Sequence, residues 1–180
     1  IASCLVGSEM CIRDRALAKK EFPVVLADSA DNAGGGAPSD ATFILERVLA
    51  RGITDVATGP FWDPVAVQLC FEAGEGAQIK LRVGGKVAPV SGQPLDLDCE
   101  ILALKRDAVM TGLAGTPALL GDVAVVRTQG VTIVMNTSRT QAMGTDLFTQ
   151  FGVDLQAMKL IIVKSCLLYT SPSPRDKRQS

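Results

Sequence analysis

The sequence concentrates polar and conformationally free residues in one segment, DSADNAGGG at residues 28–36. It follows the β-branched run PVVLAD at residues 23–28 and precedes a predicted helix. Ligands of open α/β sheets bind beyond the carboxyl ends of strands, and three adjacent glycines let the backbone approach a ligand or a neighbouring domain closely. The segment has neither the G-K-[ST] ending of a P-loop nor the GxGxxG spacing of a dinucleotide site. Two interpretations stay open: a ligand- or anion-binding loop, and a tight turn in which Asp28 and Asn32 cap local amides.

Three carboxylates in and after this segment, those of Asp28, Asp31 and Asp40, could approach one another and bind a hard cation. Their spacing is not that of a calcium-binding loop, and local capping of backbone amides accounts for them better. Ser39 suits the N-cap of the following helix, and Asp40 suits its first turn, where the helix dipole favours a negative charge. The sequence therefore predicts a helix that opens at Ser39 and Asp40 and stops at Gly52.

A second polar segment, TSRTQ at residues 137–141, follows the strand-like run VTIVM. Its hydroxyls, its amide and the guanidinium of Arg139 can bind a carboxylate or a peptide, because arginine offers a bidentate fork of donors. The other interpretation is a capped turn with Arg139 paired to a neighbouring acid, which is the more usual situation for an isolated string of this type.

Two shorter motifs favour structural roles. In FWDP, the single tryptophan, Trp62, is expected to pack beside a prolyl turn. Asp63 is expected to cap a helix that has Pro64 at its first position. The string GGK at residues 84–86 is expected to form a turn, with contact to a phosphate as the second interpretation.

The composition excludes several classes of site. The 180 residues contain no histidine, so a Ser-His-Asp triad, a Cys-His pair or a His-rich zinc site cannot form within this chain. A net charge of -1 provides no field for nucleic acid, and no apolar run approaches the about 20 residues of a membrane-spanning helix. Neither nucleic acid nor a membrane is therefore an expected partner. The five cysteines show no Cys-x-x-Cys spacing, which favours free thiols in a reducing compartment and hence a cytoplasmic protein.

Hydrophobic patterns predict the elements that position these residues. A strand at 23–28, a helix, a short strand at 55–58, a turn at 59–64 and a second helix ending at Gly74 indicate parallel pairing. Alternating and apolar runs then predict further strands at residues 78–83, 95–104, 123–126, 131–135 and 160–163, with a short helix at 146–151. The predicted fold class is α/β: one layered sheet with a strand-helix-strand-helix start and an inserted antiparallel β section.

The two ends of the chain differ from its middle. SCLVGSEMCIRDR near the amino terminus and SCLLYTSPSPRDKRQS at the carboxyl terminus resemble translated sequencing-adapter sequence. We therefore interpret residues 1–15 and 165–180 as non-native or disordered and residues 16–164 as one native domain, truncated on both sides.

Several strings of the middle part together resemble one family, and they occur in its order and approximate spacing. They are VLADSADNAGGGAPSD, TGPFWDPVAVQLCFEAGEGAQIKLRVGGK, VMNTSRTQA and LIIVKS. Over nearly all of residues 24–165, the sequence resembles the C-terminal domain of the microcystinase C-like (MlrC) metallopeptidases.

The resemblance implies a zinc-dependent peptidase that hydrolyses peptide or amide bonds in small peptides. It also implies that the zinc ligands lie in a preceding N-terminal domain that is missing here, so that this chain binds no metal, contains no catalytic residue and is inactive alone. Its partners would be that domain, a small peptide substrate and, in some assemblies, further copies of itself. The residues expected to bind substrate or shape the cleft are Asp28, Asp31, Asn32, Gly34, Gly35, Gly36, Asp40, Trp62, Asp63, Ser138, Arg139 and Gln141.

Two alternatives of different classes remain. The first is a phosphate- or nucleotide-binding α/β module that uses the glycine loop. The second is a purely structural or dimerisation domain, which predicts subunit contacts through its apolar faces.

Overall fold

The computed structural model describes residues 23–165, and the predictions for residues 1–15 and for the tail from residue 166 lie outside this range. A single seven-stranded sheet has the order β1-β7-β2-β6-β5-β4-β3. In chain order the elements are β1 (Val24–Ala27), α1 (Phe43–Ala50), β2 (Val56–Trp62), α2 (Pro64–Ala73), β3 (Gln78–Val83), β4 (Leu95–Thr111), β5 (Pro117–Thr128), β6 (Val131–Asn136), α3 (Asp146–Thr149) and β7 (Leu160–Val163). The predicted α/β class is confirmed.

The sheet has a parallel half and an antiparallel half. Strands β1, β7, β2 and β6 run parallel to one another, so their carboxyl ends meet at one edge, which we call the carboxyl edge. Strands β5, β4 and β3 continue the sheet in antiparallel pairs beyond β6. The polar segments that follow β1 and β6 in the sequence therefore emerge at the same edge.

Apolar side chains cover both faces of the sheet. On one face, α1 contributes Leu45 and Val48, and α2 contributes Val67, to a core that also contains alternate residues of the strands. On the other face, Leu147 and Phe148 of α3 belong to a second core. This three-layer arrangement follows from strands that are apolar on both sides and must be covered on both. None of the helices within residues 23–165 has the length and apolar content to cross a bilayer.

The predicted start of the first helix is wrong. The helix α1 begins at Phe43, and its N-cap residue, Thr42, makes no capping bond with its side chain. Ser39 has a left-handed backbone with φ of 67°, and its amide donates to the carboxylate of Asp31 at 2.7 Å. The side chain of Asp40 accepts from the amides of residues 86 and 87. The Ser39 hydroxyl also donates to the distant carbonyl oxygen of Pro60 at 3.3 Å. Both residues are thus used in contacts outside the helix, which the local capping pattern could not reveal.

The predicted turn at 59–64 is also wrong in its first part. Strand β2 continues through Gly59 and Pro60 to Trp62, and its pairing with β6 shifts register between Thr58 and Phe61. That shift accommodates a proline, which cannot donate to the ladder. The second part of the motif is confirmed, because Asp63 Oδ1 accepts from the Ala66 amide at the start of α2.

Strands β4 and β5 are longer than predicted. Residues 105–111 of β4 pair with residues 117–123 of β5, and the register of this pair shifts on both sides of Ala108. Asp107, with φ of 47°, lies in the first of these irregularities. A bulge of this kind breaks the two-residue alternation by which the strand would be recognised. The helix α3 is two residues shorter than the predicted 146–151.

Candidate functional site at the carboxyl edge

The residues that directly follow the four parallel strands lie together at the carboxyl edge. Asp28 follows β1, Lys164 follows β7, Asp63 follows β2, and residues 137–141 follow β6. Because these strands are neighbours in the sheet, the edge brings together groups that are up to 136 residues apart in the chain.

Lys164 lies at the centre of the first cluster of charged groups. Its side chain is 2% exposed, and its Nζ donates to Asp31 Oδ2 at 2.7 Å, to Asp28 Oδ2 at 3.2 Å and to the carbonyl oxygen of Ala41 at 2.9 Å. The ammonium also lies 4.4 Å from the centre of the Phe61 ring. The carboxylates of Asp28 and Asp31 therefore do converge, and the cation between them is the lysine ammonium of this chain.

Asp31 also fixes the loop that leads to α1. Its Oδ1 accepts from the Ser39 amide and its Oδ2 from the Ala41 amide, each at 2.7 Å. A carboxylate that accepts two amides and an ammonium has its hydrogen-bonding capacity largely used. The prediction that the Asp31 carboxylate caps local backbone amides is confirmed.

Asp63 lies at the centre of the second cluster of charged groups. Besides capping α2, it accepts from the Gly84 amide through Oδ2 at 2.9 Å, and Lys86 Nζ lies 2.8 Å from both of its oxygens. The Oδ2 atom of Asp40 accepts from the amides of Lys86 and Val87 at 2.8 and 2.9 Å. The GGK motif is thus a turn whose lysine pairs with Asp63. Asp40 is directed at this turn and is not part of the cluster around Lys164.

The glycine loop forms a closed turn. A one-turn helix spans Ala33–Gly35; the Gly34 amide donates to Asn32 Oδ1, and the amides of residues 35 and 37 donate to the Asn32 carbonyl oxygen. The Gly36 amide donates to the carbonyl of Ala33. Four consecutive amides are therefore used inside the loop, and α1 begins seven residues after Gly36. These bonds favour the turn interpretation, because they occupy the amides of all three glycines, which a phosphate would otherwise use.

The glycine loop and the loop after β6 touch each other. A Cβ atom placed on Gly34 would lie 2.5 Å from Gln141 Oε1, so the glutamine side chain rests directly on the glycine backbone. With a Cβ atom at residue 34, the end of the glutamine side chain would have to move. The two polar segments, separated by more than a hundred residues in the sequence, thus form one continuous surface.

Trp62 and Arg139 form the open part of this surface. Trp62 Nε1 donates to the carbonyl oxygen of Thr137 at 2.9 Å, and the Arg139 guanidinium lies 5.7 Å from the centre of the indole ring. Arg139 is exposed and forms no ion pair with any residue in the range 23–165. The side-chain amide of Asn136 supports the loop, because its Nδ2 donates to the Ser138 carbonyl oxygen at 2.6 Å. The predicted pairing of Arg139 with a neighbouring acid is therefore absent from the described part of the chain.

All twelve predicted site residues lie at or beside the carboxyl edge, although in separate roles. Three residues with central contacts were missed: Lys164, Lys86 and Asn136. Lys164 directly follows the apolar run LIIV, at the same place relative to its strand as Asp28 has after β1. A charged residue directly after an apolar strand is the sequence signal that could have indicated Lys164 as a site residue.

The described residues include no group of three or more Cys, Asp or Glu side chains that could hold a metal ion. The site at the carboxyl edge is thus a surface of donors, one free guanidinium and an indole, carried by a mixed α/β sheet. These features define an α/β domain in which Asp28, Asp31 and Asp63 are paired with lysine side chains of the same chain.

Comparisons with known proteins agree with this class. Residues 26–174 match the family described as MlrC C-terminus, and the chain belongs to that family. Microcystinase C from Sphingomonas sp. is 42% identical over 150 residues, which are 83% of this chain and 29% of Microcystinase C. A crystal structure named "Putative metallopeptidase" from Mesorhizobium sp. BNC1 superposes with a TM-score of 0.75 at 27% identity, over 87% of this chain and 32% of that one. The chain thus spans about a third of the length of these relatives.

Proposed function

We propose that this domain forms one wall of the substrate cleft of a zinc-dependent metallopeptidase that hydrolyses peptide or amide bonds in small peptides. The family membership and the names of its relatives, Microcystinase C and a metallopeptidase, support a peptidase-type hydrolase. The observation that carries the role of this domain is the open Arg139 guanidinium beside Trp62, at the edge where ligands of open α/β sheets bind. A cytoplasmic location belongs to the same proposal; the free, buried Cys70 and Cys99 support it.

The residues within the range 23–165 do not fit a zinc site. Zinc in peptidases is held by histidine, cysteine or carboxylate side chains with an open fourth position. This chain has no histidine, and the carboxylates of Asp28, Asp31 and Asp63 are engaged by lysine ammonium groups. We therefore propose that the metal is held by another domain of the same protein, and that residues of this domain bind and orient the peptide.

Metal analysis and a peptidase assay test this division of roles. The purified chain is expected to retain no stoichiometric zinc after dialysis and to cleave no peptide. Full-length Microcystinase C is expected to lose its activity on chelation and to regain it when zinc is added. Stoichiometric zinc on the isolated chain, or peptide cleavage by it, would refute the proposal.

Replacing Arg139 by alanine at the aligned position of a full-length relative is expected to lower kcat/KM about tenfold or more, through a higher KM or a lower kcat. A charged hydrogen bond contributes about 1.5–3 kcal/mol, and alanine removes both the charge and the fork of donors. Arg139→Lys keeps the charge and is expected to lose less. Steady-state kinetics on a small peptide measure the effect.

Arg82→Ala is the matched control for that experiment. Arg82 lies on β3, where its exposed guanidinium forms an ion pair with Asp96 and belongs to neither cluster of the site. Its removal should leave the kinetics unchanged. Identical kinetics for the wild type and Arg139→Ala would contradict the role of Arg139.

A further inference from the structure

Strands β4 and β5 extend past the rest of the sheet as a two-stranded ribbon, which we call the arm: residues 105–111 and 117–123 with the turn between them. Strand β3 pairs only with residues 95–100 of β4, and β6 pairs only with residues 123–128 of β5. Val123 is opposite Asn136, the last residue of β6. Since β5 and β6 are antiparallel, the six residues before Val123 rise beyond the carboxyl edge by up to about 20 Å.

The two sides of the arm differ in burial. Ala108, Met110 and Leu120 are buried and belong to the core that contains α3. Val109 and Leu119 are directly opposite each other and are 43% and 69% exposed. Leu113 in the turn is 48% exposed. The arm thus exposes three large aliphatic side chains next to the candidate site, and we call this its outer side.

The backbone edges of the arm are already occupied. The carbonyl of Val109 accepts from Gln150 Nε2 at 3.0 Å, and the Thr111 amide donates to Asp146 Oδ2 at 2.6 Å. On the β5 edge, the carbonyls of Leu120 and Asp122 accept from the amides of residues 138 and 137. A partner therefore cannot readily add a strand to the arm, and contact with it would be made through side chains of the outer side.

We infer that the outer side of the arm is covered by the domain that holds the metal in the full-length protein. This inference rests on the proposed function. The chain corresponds to only 29% of Microcystinase C and 32% of the crystallised relative, so about two thirds of those chains lie outside this domain. A domain that faces the carboxyl edge closely enough to share a substrate would meet the arm, which stands beside Ser138 and its loop. Burial of Val109, Leu113 and Leu119 there removes apolar area from water.

The accessibility of a single cysteine at position 119 tests this contact. Leu119→Cys is introduced into a chain in which Cys4, Cys11 and Cys166 are replaced by serine. Burial raises the pKa of Cys70 to about 12 and that of Cys99 to about 11, so these two thiols stay protonated at pH 8 and do not compete. The rate of alkylation is compared with that of the aligned cysteine in full-length Microcystinase C with its other reactive cysteines replaced.

We expect alkylation at position 119 to be at least tenfold slower in the full-length protein. Lys80→Cys on β3 is the control, because its side chain is 79% exposed and does not belong to the arm, and its rate should be the same in both proteins. Equal rates at position 119 would overturn the inference. Protection that already exists in the isolated chain and grows with its concentration would overturn it too, because a second copy would then cover the arm.

This measurement does not depend on catalysis. If zinc binding or peptidase activity of the full-length relative fails while position 119 is protected, the proposed function is wrong and the domain contact stands. If activity is present and position 119 is unprotected, the contact alone is wrong.

Discussion

Replacement of Lys164 by methionine is expected to lower the free energy of unfolding by about 3–5 kcal/mol, the range observed when one partner of a buried ion pair is removed. Methionine fills a similar volume and leaves the stacking position on Phe61 occupied by an apolar group. It cannot donate to Asp28, to Asp31 or to the Ala41 carbonyl. Two carboxylates would then remain in a poorly solvated place without a counter-charge, and that cost exceeds the loss of the attraction itself.

Urea unfolding monitored by circular dichroism measures this loss. Lys159→Met is the matched control, because Lys159 pairs with Asp55 at 2.7 Å but both side chains are about half exposed. Exposed pairs contribute about 1 kcal/mol or less. Adding Asp28→Asn to Lys164→Met should recover part of the loss, since it removes one uncompensated charge and keeps both amide bonds of the Asp31 carboxylate. A loss below about 1 kcal/mol for Lys164→Met would show that Asp28 and Asp31 do not depend on this ammonium.

Much of the parallel half could be predicted because its signals are local. The run LIIV is apolar throughout, and the strand has the predicted limits, 160–163. The adjacent residues Asp63 and Pro64 predict the start of α2, where Asp63 is the N-cap residue and Pro64 the first helical residue. Patterns of this kind depend on the immediate neighbours of a residue, and these are fixed by the sequence itself.

The failures involve residues whose partners are distant in the chain. The side chain of Asp40 is bonded to amides 46 and 47 residues away, so a helix-capping argument assigned it to the wrong element. Lys164 meets Asp31 only because β7 is inserted between β1 and β2, an order that no local pattern encodes. The position of the polar loops after strands could therefore be predicted, whereas the pairing of their charges could not.

That pairing also ties the elements of the carboxyl edge to one another. The acids of the edge are used to join its loops: Asp31 joins the first loop to β7, and Asp63 joins α2 to the turn at residues 84–86. A loop that is tied at several points keeps its shape without a ligand. The loop that carries Arg139 is tied too, by the Trp62 indole at the Thr137 carbonyl and by the Asn136 side chain at the Ser138 carbonyl. In the function we propose, this fixed base favours selective binding of a planar acceptor, such as a carboxylate or a peptide carbonyl, by the Arg139 guanidinium.

Gly84→Ala is expected to destabilise the domain by about 3 kcal/mol, combining backbone strain with overpacking. Gly84 has φ of 60°, and a Cβ atom there would lie 2.6 Å from the carbonyl oxygen of Asp40 and 2.8 Å from the Thr42 methyl carbon. The carbonyl belongs to the backbone and accepts from the Gly85 amide at 2.8 Å, so it cannot move away without breaking that bond. The turn must shift instead, which also separates the Gly84 amide from Asp63.

Gly36→Ala separates the two causes, because Gly36 has φ of 90° but no atom within 4 Å of the added carbon. Its cost should be about 1 kcal/mol, the conformational part alone. Denaturant unfolding of both variants gives the difference, which measures how tightly the turn at 84–86 is held against the loop before α1. If Gly84→Ala is no more destabilising than Gly36→Ala, the turn moves freely and the ties made by Asp40 and Asp63 do not fix the edge.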